Sequence, residues 1–104
     1  MVERYVFVKL KDEYATPEGR REVAQQTATQ LDAVPGPVRV TVGVPDEKAE
    51  GSWDLSIAVL FNDHEDVAPY LVHAEHRRYV DEYLKPRMEF IKYWNFHVVN
   101  DGNK

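Results

Sequence analysis

A chain of 104 residues can form one domain and is too short for two. A hydrophobic content of 43%, with six tyrosines, four phenylalanines and two tryptophans, excludes a disordered chain, and the lack of cysteine excludes disulfides and a thiolate nucleophile. The net charge of −5 argues against a nucleic-acid partner, because the pairs Arg20-Arg21 and Arg77-Arg78 lie among acidic residues and are interpreted as solvated helix faces.

The first two predicted elements are a strand and a helix. Over residues 2–11, Val6, Val8 and Leu10 alternate with Tyr5, Phe7 and Lys9, and this period of two is typical of a strand. The helix begins after Thr16, its predicted N-cap, with Pro17 at the first helical position, and it runs to about residue 34 before Pro35-Gly36-Pro37. Its apolar stripe consists of Val23, Thr27, Leu31 and Val34.

Two more strands follow, separated by a charged loop. Valine alternates with other residues over 38–44, which predicts the second strand, and residues 45–52 are interpreted as the loop. The third strand is predicted over 53–61. One of its faces is expected to carry Trp53, Leu55, Ile57, Val59 and Phe61.

A second helical region and a last strand complete the pattern. Asn62-Asp63 can cap helical segments over about 64–84, which are expected to be kinked near His73 and to end before Pro86. Residues 90–99 are rich in aromatic and β-branched side chains and predict the fourth strand. Residues 1–99 are therefore expected to form one domain, with a C-terminal tail over 100–104.

This order predicts an α+β fold, β-α-β-β-α-β, with a four-stranded antiparallel sheet. Two right-handed strand-helix-strand crossovers place both helices on one face of the sheet and leave the other face bare. That open face should be polar on a monomer, yet apolar side chains alternate onto both faces. The open face is predicted to carry Tyr5, Phe7, Ala58, Leu60, Phe90, Trp94, Phe96 and Val98. We therefore expect a homodimer that forms through this face.

Four segments resemble the stress-responsive dimeric A/B barrel domain family. They are residues 5–12, Pro35-Gly36 leading into Val42-Gly43, Trp53-Asp54-Leu55, and the Tyr-x-x-His-x-x-His spacing of residues 70–76. The resemblance covers about residues 4–99 and implies a ferredoxin-like protomer and a dimeric α+β barrel.

The same resemblance implies candidate site residues. A plant member closes a polyketide ring by an aldol-type condensation, and its catalytic tyrosine and histidine correspond to Tyr70 and His76. The chain differs from the family at three places. It has Arg4 where many members have histidine, Ala74 where proline is usual, and Asn95 where many have an acidic residue before an aromatic one.

The residues themselves indicate a pocket beneath the helices. Tyr70, His73 and His76 lie three apart and would form a slanting stripe on one helix. His76 can accept a proton near pH 7 and Tyr70 can donate to a developing enolate, while Arg4 and His73 are the candidate ligand-binding residues. The alternative is purely structural, with His73 as a helix cap and Tyr70 as a packing residue. Two histidines are too few for a zinc site, so we expect no metal. The glycines form no phosphate-binding loop, and we expect no cofactor.

Two functions remain open from the sequence. One is a non-catalytic dimer that binds a small hydrophobic or aromatic molecule. The other is a cofactor-independent enzyme of the polyketide-cyclase or monooxygenase-like type that uses Tyr70 and His76. Met1 leads directly to Glu3 and Arg4, with no apolar leader, and no apolar run approaches the roughly 20 residues of a membrane helix. We therefore expect a cytoplasmic protein without a membrane partner.

Overall fold

The computed structural model describes residues 1–47 and 52–102. The order of elements confirms the predicted β-α-β-β-α-β pattern, with the second helical region divided into three pieces. The elements are β1 (Val2–Leu10), α1 (Pro17–Asp32), β2 (Arg39–Gly43), β3 (Leu55–Phe61), α2 (Val67–Val72), α3 (Ala74–Arg78), a π-helix (Tyr79–Leu84) and β4 (Met88–His97). Short 3₁₀ turns precede α1 and α2, at Asp12–Tyr14 and His64–Asp66.

The four strands form one antiparallel sheet in the order β2-β3-β1-β4, which is the ferredoxin-like arrangement. β1 lies between β3 and β4, so Arg4 pairs with Val59 on one side and with Asn95 on the other. The helices cover the face that carries the even-numbered residues of β1. The side chains buried there include Val6, Val8, Leu10, Val23, Leu31, Leu55, Ile57, Val59, Phe61, Tyr79 and Leu84. None of the helices in the described ranges is long and apolar enough to span a membrane.

Helix α1 begins as the sequence predicts, but one of its charged residues is buried. The Oγ1 of Thr16 accepts the N–H of Gly19 at 2.9 Å and caps the helix. The interpretation of Arg20 as a solvated residue was wrong: its side chain is buried, and its Nε donates to Asp54 Oδ1 at 2.8 Å. Arg20 precedes Val23 by three positions, so it lies on the buried stripe of the helix.

The start of β3 corrects a second prediction. The ring of Trp53 lies on the open face, 6.2 Å from Phe7 and 5.7 Å from Phe90 between ring centroids, and not on the helix-covered face with Leu55. The chain bends at Asp54, whose N–H donates to Val8 O and whose carboxylate lies buried against Arg20. The carboxylate therefore occupies the place beneath α1 that the alternation assigned to the indole.

The second helical region is interrupted at His73, as predicted. His73 has the extended backbone angles φ −60° and ψ 139°, and it separates α2 from α3. Asp63 caps the preceding turn by accepting the N–H of Glu65. Beyond α3 the helix widens into the π-helix, where the N–H of Lys85 donates to Val80 O across five residues at 2.9 Å. The sequence pattern did not predict this widening.

The remaining boundaries differ from the predictions by a few residues. β2 is shorter than predicted. Val38 and Val44 lie just outside it, and both side chains are nearly half exposed. β4 runs over 88–97 and not 90–99, since a bulge at Lys9/Leu10 lets Met88 pair with β1. Residues 48–51 of the predicted loop and residues 103–104 of the predicted tail lie outside the described residues.

Candidate functional site

A cavity of about 390 Å³ lies between the covered face of the sheet and the second helical region. Its walls are mainly apolar, because the strands and helices that form it present core side chains. The apolar walls are formed by Val6, Leu31, Ile57, Val59, Leu71, Val80, Leu84, Met88 and Ile91. Polar groups enter the cavity from Arg4, Tyr70, His76 and Tyr93, so three of the four predicted site residues line one space.

The kink at His73 brings Tyr70 and His76 together. Side chains six residues apart on one straight helix point in directions about 120° apart, so they would lie on different faces. Here their ring centroids are 4.7 Å apart, at an interplanar angle of 55°. Tyr70 is also fixed from below by an edge-to-face contact with Phe61 at 5.2 Å. The extended backbone of His73 therefore brings the Tyr70 and His76 rings into contact, which the predicted stripe on one helix would not do.

His76 is held in one tautomer by the backbone. Its Nδ1 lies 3.0 Å from the carbonyl oxygen of Leu71, and a carbonyl can only accept, so Nδ1 carries the proton and Nε2 has the free lone pair. Burial lowers the pKa of His76, as do the charges of Arg77 and Arg4, against the opposing effects of the Leu71 carbonyl and Asp81. The imidazole is therefore neutral at pH 7 and can accept a proton at Nε2.

Tyr70 has the complementary property. Burial raises its pKa to about 12, although the positive charge of Arg4 acts in the opposite direction. The phenol is therefore protonated near neutral pH and available as a hydrogen-bond donor. Within residues 1–47 and 52–102, no hydrogen-bond partner satisfies its hydroxyl. The site thus combines a neutral donor with a neutral acceptor in contact with each other.

Arg4 reaches the cavity from the centre of the sheet. It lies on the same face as Val6, and its guanidinium is 4.5 Å from the ring centroid of Tyr93. Its Nη1 donates to Asn95 Oδ1 at 3.1 Å. Burial lowers the pKa of Arg4, but a guanidinium stays charged at any physiological pH. The polar end of the cavity is therefore positively charged.

His73 does not line the cavity. Its Nδ1 accepts the N–H of Glu75 at 3.1 Å, so the side chain caps the N-terminus of α3. This is the structural alternative that the sequence left open for His73. The ligand-binding role predicted for His73 has no geometric support, because its side chain is bonded to the backbone of α3 and lies outside the cavity.

The sequence analysis missed several residues of the site. Arg77 and Lys85 line the cavity from its exposed side and share one carboxylate, that of Asp81, at 2.7 and 3.1 Å. Their i, i+4 spacing was readable in the sequence, but their relation to the cavity depends on how the helix packs. Tyr93 also lines the cavity, next to Arg4, and was not among the predicted site residues. Among the described residues, no group of three or more potential metal ligands is present.

The fold has several relatives among solved structures. A dimeric protein of unknown function from Bacteroides fragilis is 21% identical, with 93% of this chain and 95% of that chain covered and a TM-score of 0.75. A dabb family protein from Mesorhizobium loti is 15% identical over 95% of this chain and 97% of its own, with a TM-score of 0.77. At these identities the likeness establishes the fold alone.

A third structural relative carries a provisional functional name. It is described provisionally as an antibiotic biosynthesis monooxygenase from Nitrosomonas europaea, is 17% identical over 96% of this chain and 100% of its own, and has a TM-score of 0.71. No curated protein matches the sequence. The sequence profile of the stress responsive A/B barrel domain matches residues 2–98, nearly the whole chain. This protein therefore belongs to the stress responsive A/B barrel domain family.

Proposed function

We propose that this protein binds a small, largely apolar or aromatic molecule in the cavity between the sheet and the second helical region. A volume of about 390 Å³ is within the range of small-molecule sites, which combine apolar walls with a few converging polar groups. The observation that carries the proposal is that Tyr70 and His76 both line this cavity with groups free to bond a ligand. These are the Tyr70 hydroxyl and His76 Nε2, neither of which has a hydrogen-bond partner in the described part of the chain.

A second candidate is a cofactor-independent enzyme, and the tautomer of His76 favours it. With Nδ1–H bonded to Leu71, Nε2 can take a proton from a carbon next to a ketone. Tyr70 could then donate a hydrogen bond to the enolate oxygen, which the charge of Arg4 would also stabilise. These are acid–base functions, so they favour the cyclase type over the monooxygenase-like type.

The open face of the sheet supports the proposal of a homodimer. Phe90, Trp94 and Phe96 are each about half exposed, and they continue across β1 through Phe7 and Tyr5. An aromatic layer of this extent is unusual on a surface exposed to water, and a second copy provides a matching surface by two-fold symmetry. Sedimentation at micromolar concentration should give twice the protomer mass. The cytoplasmic location stays a prediction.

The binding function is tested by filling the cavity. A panel of aromatic acids, amides and ketones is screened for thermal stabilisation, since a molecule that binds the folded state raises the melting temperature. Val80→Phe puts a ring into the cavity from its partly exposed wall, so compounds that stabilise the native protein should lose their effect in this variant. Gln25→Glu, on the exposed side of α1, is the matched control and should keep it. Equal stabilisation of both variants would place the compounds elsewhere and contradict the proposal.

Catalysis is tested separately from binding. Exchange of the α-protons of an aromatic methyl ketone with deuterated water, followed by NMR at pH 7, reports on enolate formation directly. We expect His76→Ala to abolish enzyme-dependent exchange and Tyr70→Phe to reduce it at unchanged folding stability, because a general base typically contributes about 10²-fold or more. If no variant changes the exchange rate, the binding function remains and the enzymatic one does not.

A further inference from the structure

Arg4 carries a charge in the cavity that no residue of the described chain neutralises. None of the ion pairs within residues 1–47 and 52–102 includes it, and its one hydrogen bond is to the neutral amide of Asn95. A guanidinium has five N–H donors, so four of them have no hydrogen bond to any described residue. The ring of Tyr93 fixes the plane of the group without neutralising it.

The other arginines that are buried or line this cavity are paired. Arg20 is bonded to the carboxylate of Asp54 at 2.8 Å and to the carbonyl of Ala15 at 2.8 Å. Arg77 is bonded to Asp81 at 2.7 Å. Removing a charge from water is costly unless a counter-charge compensates it. Arg4 thus differs from Arg20 and Arg77 in having no carboxylate partner among the described residues.

Other residues add to the positive charge of the cavity. Arg77 and Lys85 both line the cavity and share the single carboxylate of Asp81, which leaves one positive charge in excess. No aspartate or glutamate lines the cavity within the described residues. The chain as a whole has a net charge of −5, so the cavity has the opposite sign to the protein that surrounds it.

We propose that the molecule bound here is an aromatic or apolar carboxylate, and that Arg4 determines this specificity by binding the carboxylate. The inference rests on the proposed binding function. The free Nε and Nη2 of Arg4 present the fork that bonds both oxygens of a carboxylate, and the Tyr70 hydroxyl can donate to one of them. The body of the ligand would then lie against the apolar walls, among them Val80 and Leu84.

The test compares two probes that differ in charge and hardly in shape, 2-naphthoate and 2-naphthamide. Their dissociation constants are measured by titration calorimetry at pH 7.5. The native protein should bind the carboxylate at least tenfold more tightly than the amide, because a charge-assisted pair is lost with the amide. Arg4→Met should bring the two constants to within about twofold. Arg21→Gln removes an exposed arginine of α1, with the same change in net charge, and should keep the tenfold preference.

Each outcome separates the specificity from the binding function. If the native protein binds both probes equally and Val80→Phe abolishes both, the cavity binds ligands and the proposal about Arg4 is wrong. If Arg4→Met keeps the preference, another group binds the carboxylate and the proposal is again wrong. If neither probe binds to the native protein, the binding function fails together with the inference. Arg4→Lys keeps the charge and loses the fork, so it should weaken naphthoate binding while retaining a preference, which tests the proposal even if Arg4→Met does not fold.

Discussion

The two faces of the sheet are built from the same strands and have different environments. On the helix-covered face Val8 and Leu10 are completely buried, and the space that remains is a cavity containing ionisable groups. On the open face Phe90, Trp94 and Phe96 are half exposed, and each packs against a neighbouring aromatic ring. Apolar content therefore does not distinguish the faces. What distinguishes them is whether the chain itself supplies the covering layer.

The two environments favour different roles for the two faces. On the covered face Tyr70 is buried and Arg4 and His76 are partly buried, and burial shifts the pKa of each. On the open face the aromatic layer can contribute mainly through the apolar area that it removes from water. Our proposals place ligand binding on the covered face and assembly on the open one, and the following variants test that division.

The largest effect is expected from Asp54→Ala on the covered face. The change leaves Arg20 buried without its carboxylate and leaves the N–H of Leu10 without an acceptor, so the free energy of unfolding should fall by about 3–5 kcal/mol. Urea denaturation measures it, with the exposed Asp12→Ala as control. Adding Arg20→Met should restore part of the loss. A loss below about 1 kcal/mol for the single variant would show that the network does not fasten α1 to the sheet.

The same carboxylate predicts an acid dependence. Burial alone would raise the pKa of Asp54, but hydrogen bonds from Arg20 and Leu10, with the charge of Lys9, lower it below its ordinary 3.8. The stabilisation is therefore complete above that pH and is lost as the pH falls through the lower folded value. Urea midpoints between pH 5 and pH 2 should decline less steeply for Asp54→Asn than for the native protein. Parallel curves would contradict the lowered pKa.

The next effect is expected from Phe7→Glu on the open face. Position 7 lies opposite Ser56 and Lys92, so a folded protomer tolerates the carboxylate, whereas a sheet-to-sheet interface would bury it unpaired. The dissociation constant of the dimer should rise by about a hundredfold or more, seen as protomer mass in sedimentation. Gln25→Glu introduces the same charge on α1 and should leave the dimer intact. A dimer unaffected by Phe7→Glu would place the interface elsewhere.

A smaller effect is expected where α1 meets the π-helix. The hydroxyls of Thr27 and Tyr79 are 2.6 Å apart and buried, so Tyr79→Phe leaves one hydroxyl unpaired and should cost about 1–2 kcal/mol in unfolding free energy. Tyr83→Phe is the matched control, since no described residue bonds its hydroxyl, and should cost little. The double variant Tyr79→Phe/Thr27→Val should be less destabilised than the single one. Additive losses would show that the two hydroxyls act independently.

The smallest effect concerns the titration of His76. Its folded pKa lies below the ordinary 6.5, so the related stability is present above that pH and is lost as the pH falls through the folded value. NMR titration of the imidazole should give a midpoint below 6.5, and Arg4→Met should move the midpoint upward because one of the charges that lower it is removed. A midpoint at or above 6.5 in the native protein would contradict the lowered pKa of His76.

Much of the site could be predicted from the sequence, and its assembly could not. The spacing of Tyr70 and His76 and the face of Arg4 were readable from periodicity and resemblance. The burial of Arg20 was not, because its partner Asp54 is 34 residues away and local pattern carries no information about such a pair. The wrong face predicted for Trp53 has the same cause. The alternation was extended through Asp54, where the chain bends and the carboxylate is bonded to the distant Arg20.

The sequence by itself determined the order of the elements, the caps at Thr16 and Asp63, the break at His73 and the apolar character of both sheet faces. These depend on residues close together in the chain, whose backbone preferences and alternation act locally. Only the tertiary structure decided that Tyr70, His76 and Arg4 line one cavity, and that no carboxylate of the described residues pairs with Arg4 there. Those properties depend on contacts between α2, α3 and β1, which form only when the helices pack on the sheet and enclose the space between them.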